Sequence, residues 1–239
     1  MPEYYPVYLN LSGKRCVIFG GGTIAEGKIK ALRQSGAQIT IISPDATPGI
    51  KKALSDGEVE WLERKYQAGD LEGAFIAIAA TNVPDVNRKI FKECESLGIL
   101  LNAVDDPPLC TFIAPSIVKR EPVTLAISTG GASPALARKM RETLSEDPNL
   151  RWADLANVLQ KARGVIKQKQ LVIDPDRWQC CITDELLELA QNGLEDKALE
   201  VLIRELTTSE SSGLCHNLDL CDESGCSIKK AKASKEKIS

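Results

Sequence analysis

The chain has 239 residues, 43% of them hydrophobic and 26% charged, an ordinary globular composition with room for one large domain or two small ones, so disorder throughout is excluded. Its 30 basic and 33 acidic residues leave a formal charge of −3, and nothing in that balance recommends nucleic acid or an anionic membrane as a partner. The opening Met1-Pro2-Glu3-Tyr4-Tyr5-Pro6 lacks the order of a secretory leader, and no apolar run approaches the roughly 18 residues of a membrane helix, so a cytoplasmic setting is expected.

Four short, continuous apolar runs, at 16–19, 39–42, 75–79 and 99–101, have the look of strands buried on both faces. Cys16 lies within one of them and Cys94 and Cys110 beside others, and these three read as buried thiols. Between the first two runs Ala25, Ile29 and Leu32 recur at helical spacing, with Gly36 as the stop, which makes a βαβ unit of about 30 residues. A later helix is predicted over 83–97, from Pro84 to Gly98.

After Asp105-Asp106-Pro107-Pro108 the pattern changes, and the segments 112–118 and 122–128 read as an antiparallel pair turning at Lys119-Arg120-Glu121. Ser133 caps a helix that opens on Pro134 and runs to about Ser145. Apolar stripes over 150–166 and 182–206 predict further helices, and from 209 to 239 the chain reads as a disordered tail. The fold class is therefore α/β, a Rossmann-type parallel sheet over 1–111, a small α+β region over 112–148 and a helical region over 149–208.

The first strand ends in Gly20-Gly21-Gly22-Thr23-Ile24-Ala25, a G-x-G-x-x-A pattern in the strand-to-helix setting that gives it meaning. Gly20 permits the tight turn, Gly22 lets backbone approach a pyrophosphate, and Ala25 allows close packing of helix on strand, so exposed amides at the helix start would bind the anion. The alternative is a sharp turn closed by a Thr23–Glu26 capping box, which satisfies the same amides without a ligand. The acid expected to hold a ribose hydroxyl is displaced to Asp45, beyond Ser43-Pro44. No arginine stands there for a 2′-phosphate, so NAD is favoured over NADP.

With that turn, Tyr5-Pro6-Val7, Ala79-Ala80-Thr81-Asn82, Asn102-Ala103-Val104-Asp105, Phe112-Ile113-Ala114-Pro115-Ser116 and the long block from Ser128 to Arg138 in place, residues 4–150 resemble the precorrin-2 dehydrogenase/sirohydrochlorin ferrochelatase family of siroheme biosynthesis. The resemblance implies NAD-dependent oxidation of precorrin-2 to sirohydrochlorin, in some members followed by insertion of ferrous iron, in a homodimer joined through the region 112–148. It further implies Asp105 as the catalytic residue and Thr23, Ile24, Ser43, Pro44, Asp45, Thr81, Asn82 and Val104 beside the cofactor with Gly20, Gly21 and Gly22. For the substrate it implies the loop Ser128, Thr129, Gly130 and Gly131 together with Arg138.

Independently, Asp105 falls just beyond the carboxyl end of a parallel strand, where ligands bind in such sheets. Partial burial there would raise its pKa toward general-base work. The alternative is that Asp105 and Asp106 only turn the chain ahead of Pro107. A polycarboxylate substrate would call on cations, with Arg120, Lys139 and Arg141 as further candidates beside Arg138. Two other readings compete: a dehydrogenase that leaves iron insertion to a separate chelatase, and a nucleotide-sensing module on the same fold, which would give the Ser128–Arg138 block no purpose. In the tail, Cys215, His216, Cys221 and Cys226 lack the paired C-x-x-C spacing of a convincing zinc site and are read as incidental or at most weakly metal-binding; no resident metal is expected.

Overall fold

The computed structural model describes residues 3–208. Among them five parallel strands form one sheet: β1 (Arg15–Phe19), β2 (Gln38–Ile42), β3 (Glu60–Leu62), β4 (Ile76–Ala79) and β5 (Leu100–Ala103), in the order β3-β2-β1-β4-β5. All four residues of β4 are buried, as are the last four of β1 and β2, because helices or crossovers cover both faces. On one face α1 (Thr23–Gln34) and α2 (Pro48–Ser55) lay Ala25, Ile29, Leu32, Ile50 and Ala53 against Ile18, Ile39, Ile41 and Ile76. On the other, α3 (Pro84–Leu97) lays Ile90 and Cys94 against Val17, Phe19, Ala77 and Leu101.

The expected strands and the two long helices are in place. Both helices end in Schellman turns, with the Ala37 and Ile99 amides returning to the carbonyls of Leu32 and Cys94. The short elements α2 and β3 were not anticipated. Thr47, Pro48 and Ile50 start α2, the Thr47 hydroxyl accepting from the Ile50 amide at 3.3 Å.

The hairpin is displaced from its expected place. Its strands are β6 (Ser116–Arg120) and β7 (Val123–Ile127), so Lys119 and Arg120 stand in a strand and not in the turn. The reason lies upstream, where 110–112 is used to cover the open edge of β5. The Thr111 and Phe112 amides both donate to the Leu101 carbonyl, at 2.8 and 3.3 Å, and Thr111 Oγ1 accepts from the Leu101 amide at 2.7 Å.

By its contacts the described chain divides into two compact units. One runs to Ser116 and takes in Ser128–Ala137; the other is Ile117–Ile127 with the described residues from Arg138 on. A helix α4 (Pro134–Ser145) opens as expected on Ser133, whose Oγ accepts from the Leu136 amide at 3.1 Å. In the second unit α5 (Ala156–Gln168), α6 (Pro175–Cys180), α7 (Asp184–Gln191) and α8 (Glu195–Thr207) surround a core of Leu155, Val158, Ala162, Leu186, Leu187, Leu202 and Leu206. The tail from 209, with its cysteines and His216, lies outside the described residues.

Candidate functional site: the carboxyl ends of the central strands

In this strand order β1 and β4 are neighbours whose chains leave in opposite directions along the sheet, so a crevice opens between their carboxyl ends. The backbone ladder continues into it, with Gly20 N donating to Ile42 O at 3.0 Å, Ala80 N to Phe19 O at 2.8 Å and Val104 N to Ala79 O at 2.9 Å. The loops that leave these strands carry Gly20, Gly21, Gly22, Thr23, Ile24, Ser43, Pro44, Asp45, Thr81, Asn82, Val104 and Asp105, so the fold gathers every one of these expected residues at one end of one sheet.

The three glycines are required for different reasons. Gly20 has φ +113° and a Cβ there would overlap the Ala80 carbonyl, so only glycine fits. A Cβ on Gly21 would overlap the Asp45 carbonyl, because the segment after β2 lies directly on the turn. Gly22 has an ordinary φ of −84° and a Cβ on it would meet nothing within 4 Å. Nothing in the protein's own packing demands a glycine there, which fits a position kept bare for a ligand's close approach.

Gly22 is also the N-cap of α1, and no side chain caps that helix. The Thr23–Glu26 capping box is therefore not formed, and the first-turn amides are without side-chain acceptors. Thr23 and Ile24 are exposed beside them. An uncapped helix N-terminus with a cleared approach has the geometry of an anion cradle, and the residues present fit a dinucleotide.

Around the turn, Ser43 is buried and its carbonyl accepts from Trp61 Nε1 at 3.0 Å, while Pro44 and Asp45 are exposed. Thr81 is held by Asn87, a buried residue that the sequence reading missed. Thr81 Oγ1 and Asn87 Oδ1 are 2.7 Å apart, and Asn87 Nδ2 donates to the Thr81 carbonyl at 3.1 Å. The Thr81 side chain thus shapes its own loop, and Asn82 is the exposed member of the pair. A lone polar residue at an inward helix position was the only signal Asn87 offered.

Asp105 stands in the turn after β5 with φ +58°, a left-handed conformation that aspartate tolerates better than most residues. The partial burial expected of it is not met: Asp105 is exposed, and no described residue pairs its carboxylate. Val104, just before it, is half-buried against the sheet core. The turn is braced from behind by Cys110, whose Sγ accepts from the Ala103 amide at 3.3 Å and donates to the Ala103 carbonyl at 3.1 Å. Burial pushes that thiol's pKa up, which keeps it protonated and able to donate.

The loop after β7 is closed on itself. Thr129 Oγ1 accepts from Ser133 N at 3.1 Å and lies 3.2 Å from Ser133 O, Ser128 Oγ accepts from Gly130 N at 3.1 Å, and Gly130 and Gly131 have φ +63° and +91°. In the second unit three of the candidate cations, Arg120, Arg138 and Arg141, are already engaged, and Lys139 is exposed. Arg120 donates from Nε and Nη2 to both oxygens of Asp154, at 2.9 and 2.7 Å, and Gln191 adds a third bond to the same carboxylate. Arg138 and Arg141 both pair with Glu142, Arg138 at 2.9 Å and 76% exposed. No group of three potential metal ligands occurs among the described residues, and none of their helices is long and apolar enough to cross a membrane.

Residues 7–116 match a family model described as putative NAD(P)-binding, and 120–146 match one described as sirohaem biosynthesis protein central. The chain is 37% identical over 207 residues to a siroheme synthase of Methylobacillus flagellatus, covering 86% of this chain and 44% of that protein. To a siroheme synthase of Thioalkalivibrio sulfidiphilus it is 33% identical over 210 residues, covering 86% and 42%. It thus spans less than half the length of these relatives. A solved structure of SirC, precorrin-2 dehydrogenase, superposes with a TM-score of 0.64 at 27% identity, covering 83% of this chain and 98% of that one.

Proposed function

We propose that the chain is a member of the precorrin-2 dehydrogenase family of siroheme biosynthesis and that, through its NAD(P)-binding domain, it oxidises precorrin-2 to sirohydrochlorin with NAD. The observation that carries this reading is the pairing, at one sheet end, of a bare glycine before an uncapped helix with an unpartnered carboxylate two strands away, beyond β4. A nucleotide sensor would need the first and have no use for the second.

The α1 amides at Thr23 and Ile24 would hold the pyrophosphate, and the exposed Asp45 carboxylate would accept from a ribose hydroxyl. Its negative charge, with no arginine in 43–47, disfavours a 2′-phosphate and supports NAD. When bound, the nicotinamide accepts the hydride that leaves the macrocycle. Asp105 takes the accompanying proton, so the macrocycle loses two electrons and two protons in all, and an exposed carboxylate returns its proton to water. Ser128–Gly131 and Arg138 would receive the substrate's carboxylates. An exposed pair four residues apart on a helix is worth little, so Arg138 can leave Glu142 for such a partner.

Two further features belong to the proposal. β6 and β7 form an isolated two-stranded hairpin, a marginal unit in water, and Ile117 on it and Leu136 and Met140 on α4 are exposed, which supports a homodimer formed through this region. Cys16 and Cys94 are buried thiols, which suits a cytoplasmic setting. Iron insertion is a second activity that Asp105 could serve by accepting pyrrole protons.

The test supplies purified chain with precorrin-2 and NAD, following NADH and the tetrapyrrole spectrum with and without ferrous or cobaltous ion. NADH should form with sirohydrochlorin, and its absence from active substrate rejects the proposal. Asp105→Asn should lower turnover by about 100-fold or more while NADH still binds, the scale of a lost general base. Undiminished turnover excludes Asp105 from that role.

A further inference from the structure

Glu26 is the only acidic residue in the first turn of α1, the place from which a carboxylate ordinarily folds back onto the helix's own free amides. Here it turns the other way. Its Oε2 accepts from Thr47 Oγ1 at 2.5 Å, and its carboxylate lies so close over Gly49 that a Cβ at that position would overlap it. Glu26 therefore sits at the N-terminus of α2, where its charge meets the positive end of that helix. Besides accepting from the Lys51 amide at its carbonyl, Thr47 joins the two segments: its hydroxyl donates to Glu26 and accepts from Ile50 N, and its amide donates to Gly21 O at 2.9 Å.

These contacts tie together the two pieces of chain from which the cofactor site is built, the glycine turn and the Ser43–Asp45 loop. We propose that Thr47 is a positioning residue for the cofactor: it holds the Glu26 carboxylate on the α2 side and off the α1 amides, which are left for a dinucleotide's pyrophosphate. The inference rests on the cofactor reading above. Gly22 at the N-cap has no side chain to close α1, so the first-turn acid is the charge that must be held away, and the place it takes over Gly49 explains why that residue is bare.

The consequence is specific. Without the Thr47 hydroxyl, Glu26 is free to swing back onto α1 and compete with the phosphates as a like charge, so the damage done at Thr47 should depend on the charge at Glu26. The experiment measures NADH affinity by fluorescence titration, with melting temperature alongside, for the unmodified chain, Thr47→Val, Glu26→Gln and the double variant. Thr47→Val should weaken NADH binding about tenfold, the scale of one charge at a helix terminus. Glu26→Gln alone should bind within about threefold of the unmodified chain, and adding it to Thr47→Val should restore binding to that level, even though both Thr47 variants lose the same cap and melt lower. A merely structural Thr47 would leave the double variant as weak as the single, and that result overturns the proposal. So does tight binding by Thr47→Val alone. If the unmodified chain binds neither NADH nor NADPH, the cofactor reading falls as well, and the two failures are distinguishable.

Discussion

At the glycine turn the proposed anion-binding groups are backbone amides at a helix start; in the second unit the candidates are the guanidinium groups of Arg120, Arg138 and Arg141. The fold leaves the first set open and engages the second. Gly22 faces empty space and α1 has no side-chain cap, whereas Asp154 holds Arg120 by two bonds and Glu142 is shared by Arg138 and Arg141. An amide at a helix terminus cannot move to a new partner, so its availability follows from local chain geometry. A long cationic side chain reaches whatever carboxylate tertiary packing brings near it, so its availability does not.

The contrast can be broken by substitution. After the loss expected at Asp105, the next largest effect should separate two glycines of the turn. Gly22→Ala should lower the melting temperature by a few degrees at most, the loss of a favourable N-cap residue, and raise the NADH dissociation constant about tenfold or more, because the methyl otherwise occupies only the approach to the amides. Gly20→Ala should destabilise the first unit outright, since its Cβ meets the Ala80 carbonyl and its φ is +113°. Equal melting losses in the two variants would show that Gly22 is there for packing.

In the second unit Arg120→Ala should cost up to about 1 kcal/mol in denaturant unfolding, the upper range for a bidentate pair still partly open to solvent. Arg138→Ala should leave stability unchanged and raise the KM for precorrin-2; a stability loss matching that of Arg120→Ala would erase the distinction between a structural and an available cation.

The smallest effects are in pH, and they fall on opposite sides. Bonds from Gln191 and Arg120 hold the Asp154 carboxyl below the usual carboxylate range. The stability it contributes is therefore present above that range and lost as pH falls through it. Burial raises the thiols of Cys16 to about 11 and Cys94 to about 12, from an ordinary 9.0. Their contribution is complete below pH 9 and lost as pH rises toward about 11 for Cys16 and about 12 for Cys94. Unfolding midpoints should decline in alkali for the unmodified chain and less steeply for Cys94→Ala, while Arg120→Ala should flatten only the acid limb.

How far the sequence could be read follows the same division. The strands at 16–19 and 39–42 and the helix ends at Gly36 and Gly98 were legible because burial on both faces leaves continuous apolar runs and helix stops are local. β3 is only Glu60–Leu62, too short for any periodicity, and the eight-residue α2 shows little beyond Thr47-Pro48. The hairpin's displacement was hidden because residues that look extended, 112–115, follow a segment drawn onto the edge of β5 by Cys110 and Thr111. The expected burial of Asp105 failed because a strand end marks position along the sheet, not depth.

By itself the sequence determined that a parallel sheet would present a glycine turn and Asp105 at its carboxyl end, since strand direction, turn geometry and helix termini are all properties of neighbouring residues. Only the tertiary structure decided where the charges went. Glu26 left its own helix for Thr47, Arg120 met Asp154 across 34 residues of chain, and Asp105 stayed in water, because side chains are paired by what packs beside them and not by what precedes them.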